Sequence, residues 1–417
     1  MVSDRFRWVY CQLDTLRRCM PSSIRKALDE LPVTLDDTYE RILQGIPREK
    51  FQHARRLFQC IVAAIRPLRV EELAEIFAID FTANEATNLV EGWRPENPEE
   101  AVHSACSSLI AIIDDQGSKI VQFSHFSVKE FLTSDRLQTS DIGHLCDYYI
   151  PLEPAHTILA RACIAVLLQL DETVDRERVA TFPLGKYASE HWRDHAKFEN
   201  VESQIADDLK QLFDLKRPHL RVCVWLSQYQ PPLYEQSRFR SSRYQFSTMQ
   251  PHPLPETPLY FALFWGFIEL AKWLITTQGE DVNAICYDGT LLHFTSDRRL
   301  VDAVHLLLDH GARVNSDQDG FNWNWTPLHF ASFRGNLKIV QLLLENGATL
   351  NARSAAGSNP VYVASREGHL AVVRLLLSHG ADVHIKGEFD QTPFQKATER
   401  GHHDIARLLL EHGAKRE

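Results

Sequence analysis

From Thr257 onward the chain repeats itself, and a fixed repeat leaves fewer folds open than any single motif. TPLYFALFWG begins at Thr257, TLLHFTSDRR at Thr290, TPLHFASFRG at Thr326, NPVYVASREG at Asn359 and TPFQKATERG at Thr392. The offsets are 33, 36, 33 and 33 residues. An apolar triplet follows each head (WLI once, then LLL), and HGA or NGA closes four of the five units. The pattern predicts two helices per unit. Thr caps the first, and Pro sits in its first turn, where a missing N–H costs nothing. Gly266, Gly335, Gly368 and Gly401 stand nine residues on, where that helix needs a left-handed residue to end. Leu306–Leu308, Leu342–Leu344, Leu375–Leu377 and Leu408–Leu410 form the apolar stripe of the second helix. No unit can bury that stripe alone, so neighbours must stack.

A period near 33 headed by T-P-L-H resembles ankyrin repeats, five of them, spanning 255–417. The resemblance implies a solenoid with a concave face and a row of fingers, built to bind and carrying no catalytic group. It makes His293 and His329 braces between repeats. It places Phe330, Phe333, Arg334, Val363, Arg366, Glu367, Phe389, Lys396, Glu399 and Arg400 on the concave side. The 36-residue step adds three residues to one finger, DGFNWNW, with Phe321, Trp323 and Trp325. Large aromatics on a finger need cover, and tryptophan is enriched at interface anchors. Two readings follow: these rings meet a protein partner, or they fold back over Arg299, which replaces the usual glycine of the preceding repeat.

The remainder of the chain reads as mainly α. Residues 1–48 carry helical spacing at Phe6, Val9, Leu13 and Leu16, then IRKALDEL, then a capped start at Thr34 and Asp37. Over 49–135, FQHARRLFQCIVAAI, a turn at RPLRV leading into EELAEIFAI, and VHSACSSLI give three helices, and LIAIID, DDQGS and KIVQFSHF give a hairpin. Three helices and a hairpin make a winged-helix pattern. Residues 136–250 read as further helices and a polar linker with Arg238, Arg240 and Arg243.

QLDTLRRC, LDELPVTLDDTYERIL, RPLRVEELAEIFAI, FSHFSVKEFL and FPLGKYASEHWRDHA resemble the regions after the nucleotide-binding core in NACHT–ankyrin proteins, the NLR-like signalling NTPases of fungi. The middle block also resembles the GPI inositol-deacylase winged helix domain. The resemblance implies that His125 contacts a bound nucleotide's diphosphate, provided that an NTPase core is supplied. A phosphate loop G-x-x-x-x-G-K-[ST] is absent from the sequence, so no enzyme activity and no cofactor are expected. The alternative is the C-terminal part of a signal-transduction NTPase whose core lies outside this chain.

Other chemistries fare worse. His191 and His195 have helical spacing for zinc but no third ligand is evident, so no metal is expected. A net charge of −10 and a reading helix without Lys or Arg argue against nucleic acid, the second alternative. The eight cysteines lack paired spacing, which suits buried free thiols in a reducing compartment. No apolar run is long enough for a bilayer. The expectation is a cytoplasmic scaffold, with the nucleus left open, that recognises a protein through its ankyrin face.

Overall fold

The computed structural model describes residues 34–415, save 83–86, 107, 116, 172–177, 180, 228–256, 287 and 318–322. The helices expected before Thr34, the linker arginines and Phe321 lie outside the described residues. The chain forms two compact units, Met1–His252 and Pro253–Glu417, both mostly helical.

In the first unit, Thr34 accepts the Asp37 amide (3.1 Å) and starts α1, Leu35–Gln44. A short 3-10 turn, Arg48–Lys50, leads into α2, Phe51–Ala63. Then follow β1, Leu68–Arg69, and α3, Val70–Ile76. The small pair β2 (Ile79–Asp80) and β3 (Asn88–Leu89) precedes α4, Pro98–Cys106. The wing is β4, Ile110–Asp115, and β5, Ser118–Phe123, and α5 follows at Phe126–Leu132. Two sequence expectations are corrected here. RPLRV is not merely a turn: β1 joins the hairpin edge in the order β1-β5-β4, with Leu68 opposite Val121. The third helix begins earlier than VHSACSSLI, at Pro98, and Ile110 belongs to the wing.

The unit's centre is α6, Leu152–Leu167. Every residue from Leu159 to Leu167 except Arg161 is fully buried, so this helix is apolar around most of its circumference. It packs on α2 and on α7, Gly185–Ala196. Buried carboxylates tie the rest. Glu72, on α3, is fully enclosed and bonds the Arg66 guanidinium at two points (2.7 and 2.8 Å), the Arg69 amide (2.8 Å) and the Arg69 Nε (3.0 Å). Glu75, one turn on, accepts the Leu184 amide (2.7 Å) and meets Arg94. The Asp208 carboxylate accepts the Thr87 amide (3.0 Å) and faces Arg161. Cys60, Cys163 and Cys223 are buried free thiols; burial pushes Cys60 up to about 12 and Cys223 to about 11.

The second unit stacks five helix pairs. The first helices are Pro258–Trp265, Leu291–Asp297, Pro327–Arg334, Pro360–Glu367 and Pro393–Glu399. The second helices after the first repeat are Val301–Asp309, Leu337–Glu345, Leu370–Ser378 and His403–Glu411. Thr257, Asn359 and Thr392 cap as their chemistry requires, each accepting the amide three residues on. Thr290 and Thr326 share the task with His293 and His329 in capping boxes. The far nitrogen of each histidine reaches the next finger: His293 Nε2 to the Trp325 carbonyl (3.0 Å), His329 Nε2 to the Ser358 carbonyl (3.1 Å). The four helix-ending glycines all have φ between 69° and 84°. Arg299 takes that conformation too (φ 61°).

Candidate protein-interaction face

The residues that the repeats place towards the concave side form one strip, built from the first helices and the fingers between them. Before Thr290 the finger turn uses the adjacent Gly289 (φ 103°), but in the three later fingers it uses a left-handed residue two places before the helix cap. Gly357 supplies it in one finger (φ 79°), and Asn324 (φ 52°) and Asp390 (φ 57°) supply it in its neighbours. The residue before that one is then carried to the tip. It is Trp323 in one finger and Phe389 in another, and they are 45% and 87% exposed. Phe389 is itself left-handed (φ 59°), so Phe389–Asp390 make a two-residue turn of the I′ kind, closed by the Gln391 amide on the Glu388 carbonyl (3.3 Å).

The residue directly before a cap points the other way. Ser358 there is 2% exposed, and Trp325 is 9% exposed. Trp325 lies in a cluster with Phe330 and Val363, and Phe333 covers it; the Trp325 ring is 5.0 Å from Phe330 and 5.6 Å from Phe333. This corrects the expectation for Trp325, Phe330 and Val363, which are interior. Lys396 is interior as well, at 5% exposed, with its ammonium 3.1 Å from Glu399. Trp325 does fold back, but onto Phe330 and Phe333, while the Arg299 guanidinium donates to the Arg334 carbonyl.

Above that cluster the strip is charged but balanced. Arg334 holds Asp297 through two bonds (2.8 and 3.0 Å) and lies over the half-buried Phe333 ring, 5.1 Å from its centroid. Arg366 bonds Glu367 (2.7 Å) and Glu388 (2.8 Å). Burial opposes the Arg366 charge, yet these two carboxylates hold its pKa above the ordinary value. Burial and the neighbouring Glu388 push Tyr362 up to about 12, and its hydroxyl donates to the Glu388 carbonyl. Glu399 receives Gln391 and Lys396, which keep its carboxyl below the usual range, and Arg400 is exposed beside it. Such a strip offers rings and fixed polar groups to a surface. It has no nucleophile set against a base.

The other sequence candidates have local duties. His125 caps α5, its Nδ1 facing the Ser127 amide and hydroxyl, and Ser127 in turn meets the Tyr39 hydroxyl (2.8 Å). His195 is fully buried, and its two ring nitrogens face His156 (2.9 Å) and the Tyr187 hydroxyl (2.8 Å). Burial drives its pKa down to about 3, and His191 instead faces Asp194. The two histidines are therefore not presented to one ion. On the winged helix, α4 carries Glu99 and Glu100, and the wing ends in exposed Asp114 and Asp115. The wing's Lys119 is paired with Glu99.

Comparison with known proteins agrees with this architecture. Ankyrin-repeat family models match three times, at residues 259–354, 292–387 and 362–417. The model for the winged helix domain of GPI inositol-deacylase matches residues 39–142. A protein of Monascus ruber named azaphilone pigments biosynthesis cluster protein L is 28% identical over 305 residues, which cover 69% of this chain. The match spans 61% of that relative's length. Among the described residues, no helix is long and apolar enough to cross a membrane. The chain contains ankyrin repeats, which are protein-interaction modules, joined to a winged helix domain of the GPI inositol-deacylase type.

Proposed function

We propose that this chain is a non-enzymatic scaffold whose ankyrin face takes a protein partner between the fingertips at Trp323 and Phe389. The observation that carries the reading is Phe389. The ring is almost wholly in water, with the Lys396 ammonium 5.9 Å from its centroid, and it stands on a left-handed backbone that costs a non-glycine residue about 1 kcal/mol or more. Trp323 stands at the matching place of another finger, and Phe333, Arg334, Arg366, Glu367 and Arg400 lie between or beside them. Aromatic anchors ringed by satisfied polar groups are the usual form of an interface centre. Winged helix and helical block then act as relay or platform.

The motif order supports a finer placement beside NACHT–ankyrin signalling proteins, acting in the cytoplasm. In that setting His125 would meet a nucleotide held by a separate core. Its Nδ1 faces Ser127 (2.6 Å). A place alongside a biosynthetic pathway is the setting suggested by the Monascus ruber relative's name.

The test is site-specific photocrosslinking in the source cells. A photoreactive phenylalanine analogue at 389 or 323 should give a discrete heavier species, and the same analogue at Arg374 or Arg407, on the second helices, should not. Phe389→Ala should remove the species formed from 323 while leaving the melting temperature unchanged. Equal crosslinking from all four positions would sink the reading.

A further inference from the structure

A cavity of about 480 Å³ opens in the first unit between the end of α1, the start of α2 and the turn at 144–148. Its size is that of a small-molecule site. Leu43, Leu145 and Tyr148 are almost fully buried and form its floor, with Ile46 and Phe51 completing an apolar wall. The polar residues are at the rim. His144 is 2.7 Å from Arg48 Nη2 through its Nε2 and 3.3 Å from Asp147 through its Nδ1. A guanidinium is always a donor, so Nε2 must accept and Nδ1 carries the proton towards Asp147. The imidazole thereby orients Arg48 without neutralising it. Among the described residues Arg48 has no carboxylate within ion-pair distance. Arg55 lies outside the lining and holds the turn in place, its Nε donating to the Asp147 carbonyl (2.8 Å).

The backbone points the same way. The helical run that begins at Arg48 and continues through α2 starts beside the cavity; within it the Lys50 amide bonds the Pro47 carbonyl (2.9 Å) and the Phe51 amide the Arg48 carbonyl. Its amide end favours negative charge. The opposing end of α1 is also nearby, but its last carbonyls already receive the Gly45 and Ile46 amides.

We propose that this cavity binds an amphipathic monocarboxylate, its apolar body against Leu43, Phe51 and Leu145 and its head on Arg48. The site is separate from the ankyrin face and does not depend on the reading given for it. The probe is decanoic acid bearing a chain diazirine, photolysed with the full-length protein and mapped by peptide mass spectrometry. Label should fall on peptides containing 43–51 and 144–148. Decanoate should compete it away, and decanol of the same chain length should do so poorly. Arg48→Gln should raise the decanoate concentration needed by about 10- to 100-fold, the value of a hydrogen bond to a charged group. Gln44→Trp, at an exposed rim position, should block labelling with the melting temperature unchanged. Label elsewhere, equal competition by decanol, or unchanged competition in Arg48→Gln would overturn the proposal.

Discussion

In the ankyrin unit two buried histidines at one repeat position, His293 and His329, brace the neighbouring finger. In the N-terminal unit the buried carboxylates Glu72, Glu75 and Asp208 are each used once, and Glu75 meets Leu184 and Asp208 meets Thr87 from other elements. The first device is local and can be copied, since each unit brings its own donor and finds the same carbonyl next door. The second is long-range and singular, because its partner lies as far as 121 residues away. Damage should therefore spread differently. In a stacked array, loss at one repeat weakens that repeat and its neighbours. In the N-terminal unit, loss of one carboxylate loosens several elements together.

The largest effect is expected at Trp325. Trp325→Ala removes a ring packed on Phe330, Phe333 and Val363 and should cost about 3 kcal/mol. Trp323→Ala, with its ring 45% exposed, should cost under about 1 kcal/mol. Peptide-resolved hydrogen exchange is the right readout, because two units need not unfold as one. Trp325→Ala should raise exchange in the third and fourth repeats and leave α6 of the N-terminal unit protected. Uniform loss in both units would break the contrast.

The array was largely legible because its rules are local. Threonine caps, left-handed glycines and leucine triplets all act within a dozen residues. The two tryptophans were not separable by composition, since both sit in FNWNW. Only the side of the finger turn distinguishes them, and Asn324 standing in for the usual glycine was the available mark. In the N-terminal unit, the hairpin alternates and was readable, whereas β1 has two residues and its partner is about fifty positions on. Likewise EELAEIFAI reads as a helix that carries three glutamates. Nothing local says that Glu72 and Glu75 face inward, because their donors come from Arg66, Arg94 and Leu184.

The two glutamates give the next prediction, with opposite pH behaviour. Burial opposes the Glu72 charge, but the Arg66 bonds, the Arg69 amide and both guanidinium charges outweigh it and hold its carboxyl below the ordinary value. For Glu75 burial wins over Leu184 and Arg94, and the carboxyl is raised. Glu72→Gln should cost about 2 kcal/mol at pH 7, less than a wholly buried pair because both arginines reach water. A lowered native pKa stabilises the fold above the unfolded value of about 4.3, and that advantage is lost as pH falls through the native value. The gap between wild type and Glu72→Gln should therefore close in acid. A raised pKa acts in reverse: stability falls as pH rises from the unfolded to the native value. Glu75→Gln, which keeps an acceptor for Leu184, should be within about 1 kcal/mol of wild type at pH 7. Urea titrations in steps from pH 7 down to pH 3 check both signs.

A last set of variants sharpens the account of how repeats recognise one another. A Cβ at Gly335 would collide with the His369 ring, and one at Gly368 would meet His402. Those histidines are held in place, His369 Nε2 on the Phe333 carbonyl (2.9 Å) and His402 Nε2 on the Arg366 carbonyl (3.2 Å). So a glycine in one repeat is required by the histidine of the next. Where the next repeat has Asn336 in that place, the side chain turns to cap its own helix through the Ile339 amide, and the preceding repeat carries Arg299. Gly335→Ala should cost about 2 kcal/mol, combining left-handed strain with a displaced histidine. Gly311→Ala, at φ 82° with no atom within 4 Å of the new Cβ, carries the strain alone and should cost about 1 kcal/mol. The double change Gly335→Ala with His369→Asn should recover part of the difference, because it rebuilds the Arg299–Asn336 arrangement one repeat along. If the double variant is less stable than either single one, the glycine and histidine are not a coupled pair, and the left-handed backbone alone explains the glycine.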